Sequence, residues 1–375
     1  MYQLIQTSST GMFINLFLLS ILVSNFGQGK GNEQIINETN QYRENEHGVI
    51  PPESKSNVLV ISRITSGSTF FAELIQSHDP RTFYSFEPLI IGDRKCHLRK
   101  NRQLNRSIEV LNDIYNCNMN DLQPWLQFLL EQWNQNYIHR NDFLIQNLNP
   151  IMLKNREANE IFLRKTSKIC LKAKMNLSKV NRLRMSQVGR YLDQLEDKFG
   201  PKFVRNFRVI FLIRDPRGIV SSRRMRNFSM GPFRNAKKVC HDMEKNLMEY
   251  IDVKKKYPNN VFLVRYEDVS INTTKFSTEF FPKILNLPMN ENVRNFIQTH
   301  TTKEKKKMES RQFSTIRNSH KLTFIWTERL DEKEIASFDH FCADAMKLGG
   351  YKLWREAERE NRDIENVNWT KMIQI

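Results

Sequence analysis

Residues 58–74 read VLVISRITSGSTFFAEL. Val58–Ile61 is a short apolar run that predicts a buried strand. It passes into a turn of small residues, Thr65-Ser66-Gly67-Ser68-Thr69, after which Phe70, Phe71 and Leu74 recur at helical spacing. A strand feeding a Ser/Gly/Thr turn that opens a helix suits an anion. The amides of the turn and of the first helical residues point outward, and the helix dipole favours negative charge. The turn is not the G-x-x-x-x-G-K-[ST] loop of nucleoside triphosphatases, because Gly67 is followed by Ser68 and the lysine is missing. Taken alone, the stretch also fits an ordinary strand–turn–helix, so the decision lies elsewhere in the chain.

A second stretch, Val209–Arg224 (VIFLIRDPRGIVSSRR), decides it. A buried strand delivers Arg214 at its C-terminal end, where open α/β sheets bind ligands. Pro216 suits the first turn of a helix, and Ser222 lies on that helix. One guanidinium with one hydroxyl makes a compact site for a terminal phosphate. Further strands are expected at Val261–Val264 and, more weakly, Ile169–Lys172. Helices are expected at Asp121–Asn134, Lys179–Phe199 (capped by Ser178 and closed by Gly200-Pro201), Asn235–Lys256 and Asp331–Leu348. Short apolar strands alternating with helices predict an α/β domain around a parallel sheet.

The chain of 375 residues is 39% hydrophobic and 26% charged, and its formal net charge is +17. This excess suits an anionic partner such as an acidic glycan or a phosphorylated cofactor, or a basic solvated surface. Residues 11–26 are apolar and uncharged, short for a span of about 20 residues, and read as an uncleaved signal anchor or a signal peptide. The expected organisation is an anchor or signal over 1–27, a polar stem over 28–55, the functional domain over 56–355 and a polar tail over 356–375. Six N-x-S/T sequons, at Asn37, Asn105, Asn176, Asn227, Asn272 and Asn368, agree with a secretory route. Five cysteines (Cys96, Cys117, Cys170, Cys240, Cys342) allow two disulfides and one free thiol, or none paired, and lack the C-x-x-C spacing of a zinc site. No metal is expected. A luminal protein would rarely meet nucleic acid, so the charge is not read as a nucleic-acid surface.

The two stretches together resemble the Golgi carbohydrate sulfotransferases, most closely the branch acting on the 6-hydroxyl of galactose, N-acetylglucosamine or N-acetylgalactosamine. Thr65-Ser66-Gly67-Ser68-Thr69-Phe70 with Glu73-Leu74 is similar to the family's 5′-phosphosulfate loop, R-S-G-S-S-F-x-x-E-L. Phe83–Leu89 carries its F-E-P-L landmark, and Ile213–Arg217 with Ser222-Arg223 its V-R-D-P-R-x-x-x-x-S-R motif. The resemblance covers about Val58 to Tyr351. It implies a P-loop-kinase-like sulfotransferase fold, a central parallel sheet flanked by helices. It also implies 3′-phosphoadenosine 5′-phosphosulfate (PAPS) as co-substrate, a glycan or glycosaminoglycan acceptor and a Golgi-membrane location with a luminal domain, or secretion after signal cleavage. Ser66, Gly67, Ser68 and Thr69 would cradle the 5′-phosphate. Arg214 and Ser222 would hold the 3′-phosphate, with Arg317 as a further contact and Arg265 and Tyr266 shaping the pocket.

Sulfuryl transfer is an in-line displacement that needs alignment, cations for the developing charge and a base for the acceptor hydroxyl. Glu87, set among aromatics that would desolvate it, is the expected base, ahead of His78 and His241. The sequence departs from the family at Thr65, which stands where the family has an arginine. Arg63 or Lys172, the latter expected at a strand end, would have to supply that charge. If neither does, the alternative is a catalytically reduced glycan-binding protein that keeps the fold.

Overall fold

The computed structural model describes residues 54–90, 101–131, 140–155, 157–225, 235–301, 315 and 318–359. The N-terminal anchor or signal and the stem up to residue 53, Cys96, the run Lys303–Lys307, Arg317 and the polar tail from residue 360 lie outside them.

Among the described residues five strands form one parallel sheet: β1 (Ser56–Ser62), β2 (Thr82–Phe86), β3 (Met175–Val180), β4 (Phe207–Ile213) and β5 (Val261–Arg265), in the spatial order β2-β3-β1-β4-β5. The helices used below are α1 (Ser68–Gln76), α2 (Asn101–Tyr115), α3 (Gln123–Glu131), α4 (Glu160–Lys172), α5 (Met185–Phe199), α6 (Pro216–Met225), α7 (Ala236–Lys256), α8 (Tyr266–Ile271), α9 (Glu332–Phe341) and α10 (Ala343–Gly349). The central strands are apolar on both sides because both faces are covered. Leu59, Ile61, Val209 and Phe211 enter a core with residues of α2, α5 and α7, while Val58, Val60, Ile210 and Leu212 enter another with Phe70, Phe71 and Leu74 of α1. Each such side chain contributes about 1.5–3 kcal/mol on burial. A third cluster joins α3 and α4 around Trp125, Leu126 and Phe162.

Strand order creates the site. After β1 the chain returns on one side to β2 and β3, and after β3 it crosses to β4 and β5, so the order reverses beside β1. Crevices open at the carboxyl ends of strands where the order reverses. The two candidate phosphate motifs follow β1 and β4, which are neighbours there.

Several expectations need correcting. Ile169–Lys172 is not a strand; it is the last turn of α4, capped at its start by the Asn159 side chain, which accepts from the Phe162 amide at 3.0 Å. The strand is Met175–Val180, which includes Ser178 and Lys179. The following helix therefore begins at Met185, with Arg184 as N-cap, and Ser178 caps nothing. Gly200 does end it, and Pro201 opens the next short helix. Asn235 caps α7, its side chain accepting from the Lys238 amide at 3.1 Å. The stretch from Asp331 divides into α9 and α10 at Cys342. Among the described residues two disulfides form, Cys117–Cys170 and Cys240–Cys342.

Candidate active site

The turn after β1 holds two left-handed residues, Thr65 at φ 72° and Gly67 at φ 80°. Only glycine fits the second. A Cβ on Gly67 would run into the ring of Tyr266, the first residue of α8. Gly67 is also the N-cap of α1 and supplies no side-chain oxygen to it. The amides of Ser68, Thr69 and Phe70 are thus left by helix geometry without an intrahelical acceptor, while Phe71 N donates to Gly67 O at 3.2 Å. The Ser66 hydroxyl is buried in the turn and has no partner. Outward amides, a helix dipole and an unpaired buried hydroxyl form an anion cradle.

The second motif grips the first. Arg214 donates through Nη1 to the Thr65 carbonyl at 3.0 Å, and Arg223 donates through Nη2 to the Ile64 carbonyl at 3.0 Å. The Arg214 guanidinium lies 4.5 Å over the Tyr266 ring, and its Nε is buried without a partner. Gly218 makes room: a Cβ there would stand 3.0 Å from that Nε. Ser222 is half-buried on α6, two turns along from Arg214. Asp215 is fully buried and takes Arg217 at 2.7 Å, and Arg217 stacks 4.2 Å over Trp326.

Glu87 follows β2 at φ 49°, a strained value for a residue with a side chain. Its amide continues the ladder to Lys179 O at 2.9 Å. Its carboxylate is not set among aromatics alone, as the sequence suggested. Lys179 Nζ donates to Oε1 at 2.6 Å, while Arg182 Nη1 and the Asn181 amide donate to Oε2. All three cationic and anionic groups are buried. Burial pulls the Lys179 ammonium below its usual range, and the Glu87 carboxylate opposes that shift. Burial first, and the charge of Glu87 second, push the Tyr84 phenol well above its ordinary value. Lys179 alternates along β3 with Met175 and Leu177, whose side chains enter the core under α1. It therefore sits at the carboxyl end of the sheet on the face where α1 begins.

The two residues expected to replace the missing loop arginine are placed elsewhere. Arg63 turns away from the cradle; its Nε meets Asp242 at 2.5 Å, and Nη1 donates to Asn181 O and Leu183 O at 3.3 and 3.2 Å. Lys172 ends α4 and precedes β3, at the edge where strands begin. The length of β3, about 16 Å, separates that edge from the cradle, more than a lysine side chain spans. Lys179 and Arg182 are the cations that pair with Glu87, and neither was expected there. Their signal was the alternating run MNLSKVNR, which the helix expected from Lys179 concealed.

His78 lies past the end of α1, its Nε2 2.9 Å from Pro288 O and its ring stacked on Phe281, and His241 is exposed on α7. Glu73 pairs with Arg140 and accepts from Thr315, a structural role. Arg265 pairs with Asp268 at 2.8 Å and donates to Gly350 O, so it braces a strand end, whereas Tyr266 does reach the cradle.

The model of the sulfotransferase domain matches residues 55–350. Carbohydrate sulfotransferase 1 of Mus musculus is 25% identical over 355 residues, covering 84% of each chain. Carbohydrate sulfotransferase 1 of Homo sapiens is 24% identical with the same coverage. Carbohydrate sulfotransferase 3 of Homo sapiens is 24% identical over 341 residues, 81% of this chain and 68% of that one. A five-stranded parallel sheet with the anion cradle after β1, together with a family match across nearly all of that domain, leads to one assignment: the chain belongs to the sulfotransferase domain family and is a sulfotransferase.

Proposed function

We propose that this sulfotransferase moves a sulfuryl group from PAPS to a sugar hydroxyl, the 6-hydroxyl of galactose, N-acetylglucosamine or N-acetylgalactosamine, on a glycan or glycosaminoglycan. One observation carries the reading. Arg214 and Arg223 of the second motif donate to the carbonyls of Thr65 and Ile64 in the first, so two anion-binding elements form one continuous site. A donor with phosphates at its 5′ and 3′ positions needs such a pair. The unpartnered Ser66 hydroxyl and Arg214 Nε fit phosphate oxygens. In this reading Ser66, Gly67, Ser68 and Thr69 hold the 5′-phosphate, and Arg214 with Ser222 holds the 3′-phosphate. The relatives named for carbohydrate acceptors support the sugar as nucleophile.

The acceptor oxygen bonds to sulfur while the bond from sulfur to the bridging phosphate oxygen breaks, and the electron pair leaves on that phosphate. Glu87 takes the acceptor proton. As its carboxylate becomes neutral it releases its hold on Lys179 and Arg182, and their charge turns to the sulfuryl oxygens. These two residues supply what Thr65 lacks. A Golgi-luminal setting with an N-terminal membrane anchor is part of the proposal, supported by the two disulfides.

The test is transfer from labelled PAPS to a panel of neutral and sulfated oligosaccharides, with product linkage read by mass spectrometry. Sulfate on a sugar 6-hydroxyl is the expected product. Transfer only to non-sugar hydroxyls would overturn the acceptor assignment. Binding of adenosine 3′,5′-bisphosphate no tighter than adenosine 5′-phosphate would overturn the donor assignment.

A further inference from the structure

One buried carboxyl beside the donor site has no part in the transfer just described. Glu267 lies in the first turn of α8 and is fully buried. Strands β4 and β5 pair as far as Ile213 and Arg265. Beyond the ladder the contacts continue: Arg214 stacks on Tyr266, and the Asp215 amide donates to Glu267 Oε1 at 3.1 Å. The Tyr351 hydroxyl donates to Glu267 Oε2 at 3.0 Å. Neighbouring carboxylates have cations, Asp215 taking Arg217 and Asp268 taking Arg265. Among the described residues, no ion pair is formed by Glu267.

We propose that Glu267 is a positioning residue that makes phosphate binding at Arg214 proton-linked, the site holding a phosphate more tightly when this carboxyl carries its proton. The inference rests on the donor reading above. Its physics is local. The carboxyl touches the backbone of the residue next to Arg214, in a fully buried setting where charges are felt strongly. When ionised it opposes an incoming phosphate and faces the Asp215 carboxylate. When protonated it removes that opposition and still meets both of its partners. The charged and titratable groups around it are Arg214 and Asp215 from the turn before α6, Arg217 of α6 through its pair with Asp215, Arg265 at the end of β5 and Tyr351 after α10. The short helix Ser319–Thr323 packs on α8 through the hydroxyls of Ser319 and Thr323, while its His320 and Lys321 are exposed. Burial first, and Asp215 second, raise the Glu267 carboxyl to about 7, with Arg214 opposing.

The test is calorimetric binding of adenosine 3′,5′-bisphosphate to the full chain between pH 6 and pH 8, in wild type and Glu267→Gln. Titration of the ligand's own phosphates is common to both and cancels in the comparison. Wild-type affinity is expected to fall about tenfold more across this range than that of the variant. Tyr351→Phe removes a donor to the ionised carboxyl, so its affinity step should move to higher pH; this variant carries the test if Glu267→Gln does not fold. Equal pH dependence in wild type and Glu267→Gln, or an unmoved step in Tyr351→Phe, would overturn the proposal while the preference for a 3′-phosphate persists. Loss of that preference in wild type itself would instead bring down the donor reading, and this inference with it.

Discussion

Replacing Glu87 by glutamine tests the chemistry and the fold at once, and the structure separates the two effects. The amide keeps the shape and still accepts hydrogen bonds, but it cannot take the acceptor proton. General-base catalysis contributes about 10²–10⁴-fold, so turnover should fall by that factor. The same change strands two buried cations, Lys179 at 2.6 Å and Arg182 beside it. Removing one partner of a buried pair costs about 3–5 kcal/mol, a large part of a domain stability of about 5–15 kcal/mol. The variant should therefore melt several degrees lower and yet remain folded at 25 °C. Adding Lys179→Met removes one stranded charge and should recover part of the stability. Turnover is measured at saturating PAPS alongside melting temperature and the affinity for adenosine 3′,5′-bisphosphate. The cradle and Arg214 follow β1 and β4, away from this carboxylate, so nucleotide affinity should stay within about threefold in both variants. Turnover undiminished in Glu87→Gln, or regained with stability in the double variant, would refute the role of Glu87 as base.

Gly67→Ala places a methyl against the Tyr266 ring at a backbone angle that L-residues rarely adopt. Nucleotide affinity should fall at least tenfold, and Tyr266→Ala in the same chain should restore part of it in a binding titration. Glu267 gives a signature in stability. Its carboxyl stands near 7 when folded and near 4.5 otherwise, so the folded state binds the extra proton between these values. The contribution is present below about pH 4.5 and is lost as pH rises through 7, by about 3 kcal/mol in all. Denaturant unfolding from pH 5 to pH 8 should show this slope in wild type and a flatter one in Glu267→Gln. Among the sequons, Asn105 is exposed on α2, whereas Asn176 is fully buried in β3 and donates to Tyr115 O. Glycopeptide mapping of secreted protein should find glycan on Asn105 and none on Asn176.

The parts of this protein whose physics is local are legible in its residues. A four-residue apolar run followed by Ser-Gly-Ser specifies a strand, a left-handed turn and a helix start, because few other residues fit a positive φ and an outward row of amides. The run VIFLIRDPR likewise specifies a strand that ends on an arginine. Those two stretches carried the α/β class, the anion cradle and the family resemblance. The charges around Glu87 and the cradle follow from tertiary packing instead. Ile169–Lys172 is as apolar as an edge of strand, but the cap at Asn159 and burial of Phe162 and Leu163 make it helix. The next strand moves on to Met175–Val180, which takes Lys172 from the site and brings Lys179 to it. Arg63 stands two residues from the turn and still turns away, because Asp242 on α7 lies within 2.5 Å of it. Glu87 meets cations that lie 92 and 95 residues further along the chain. A hydrogen bond or ion pair acts over about 3 Å, and the distance along a sequence says nothing about which long side chains come that close. The parallel sheet settles it, by seating β3 between the strand that ends in the cradle and the strand that ends in Glu87.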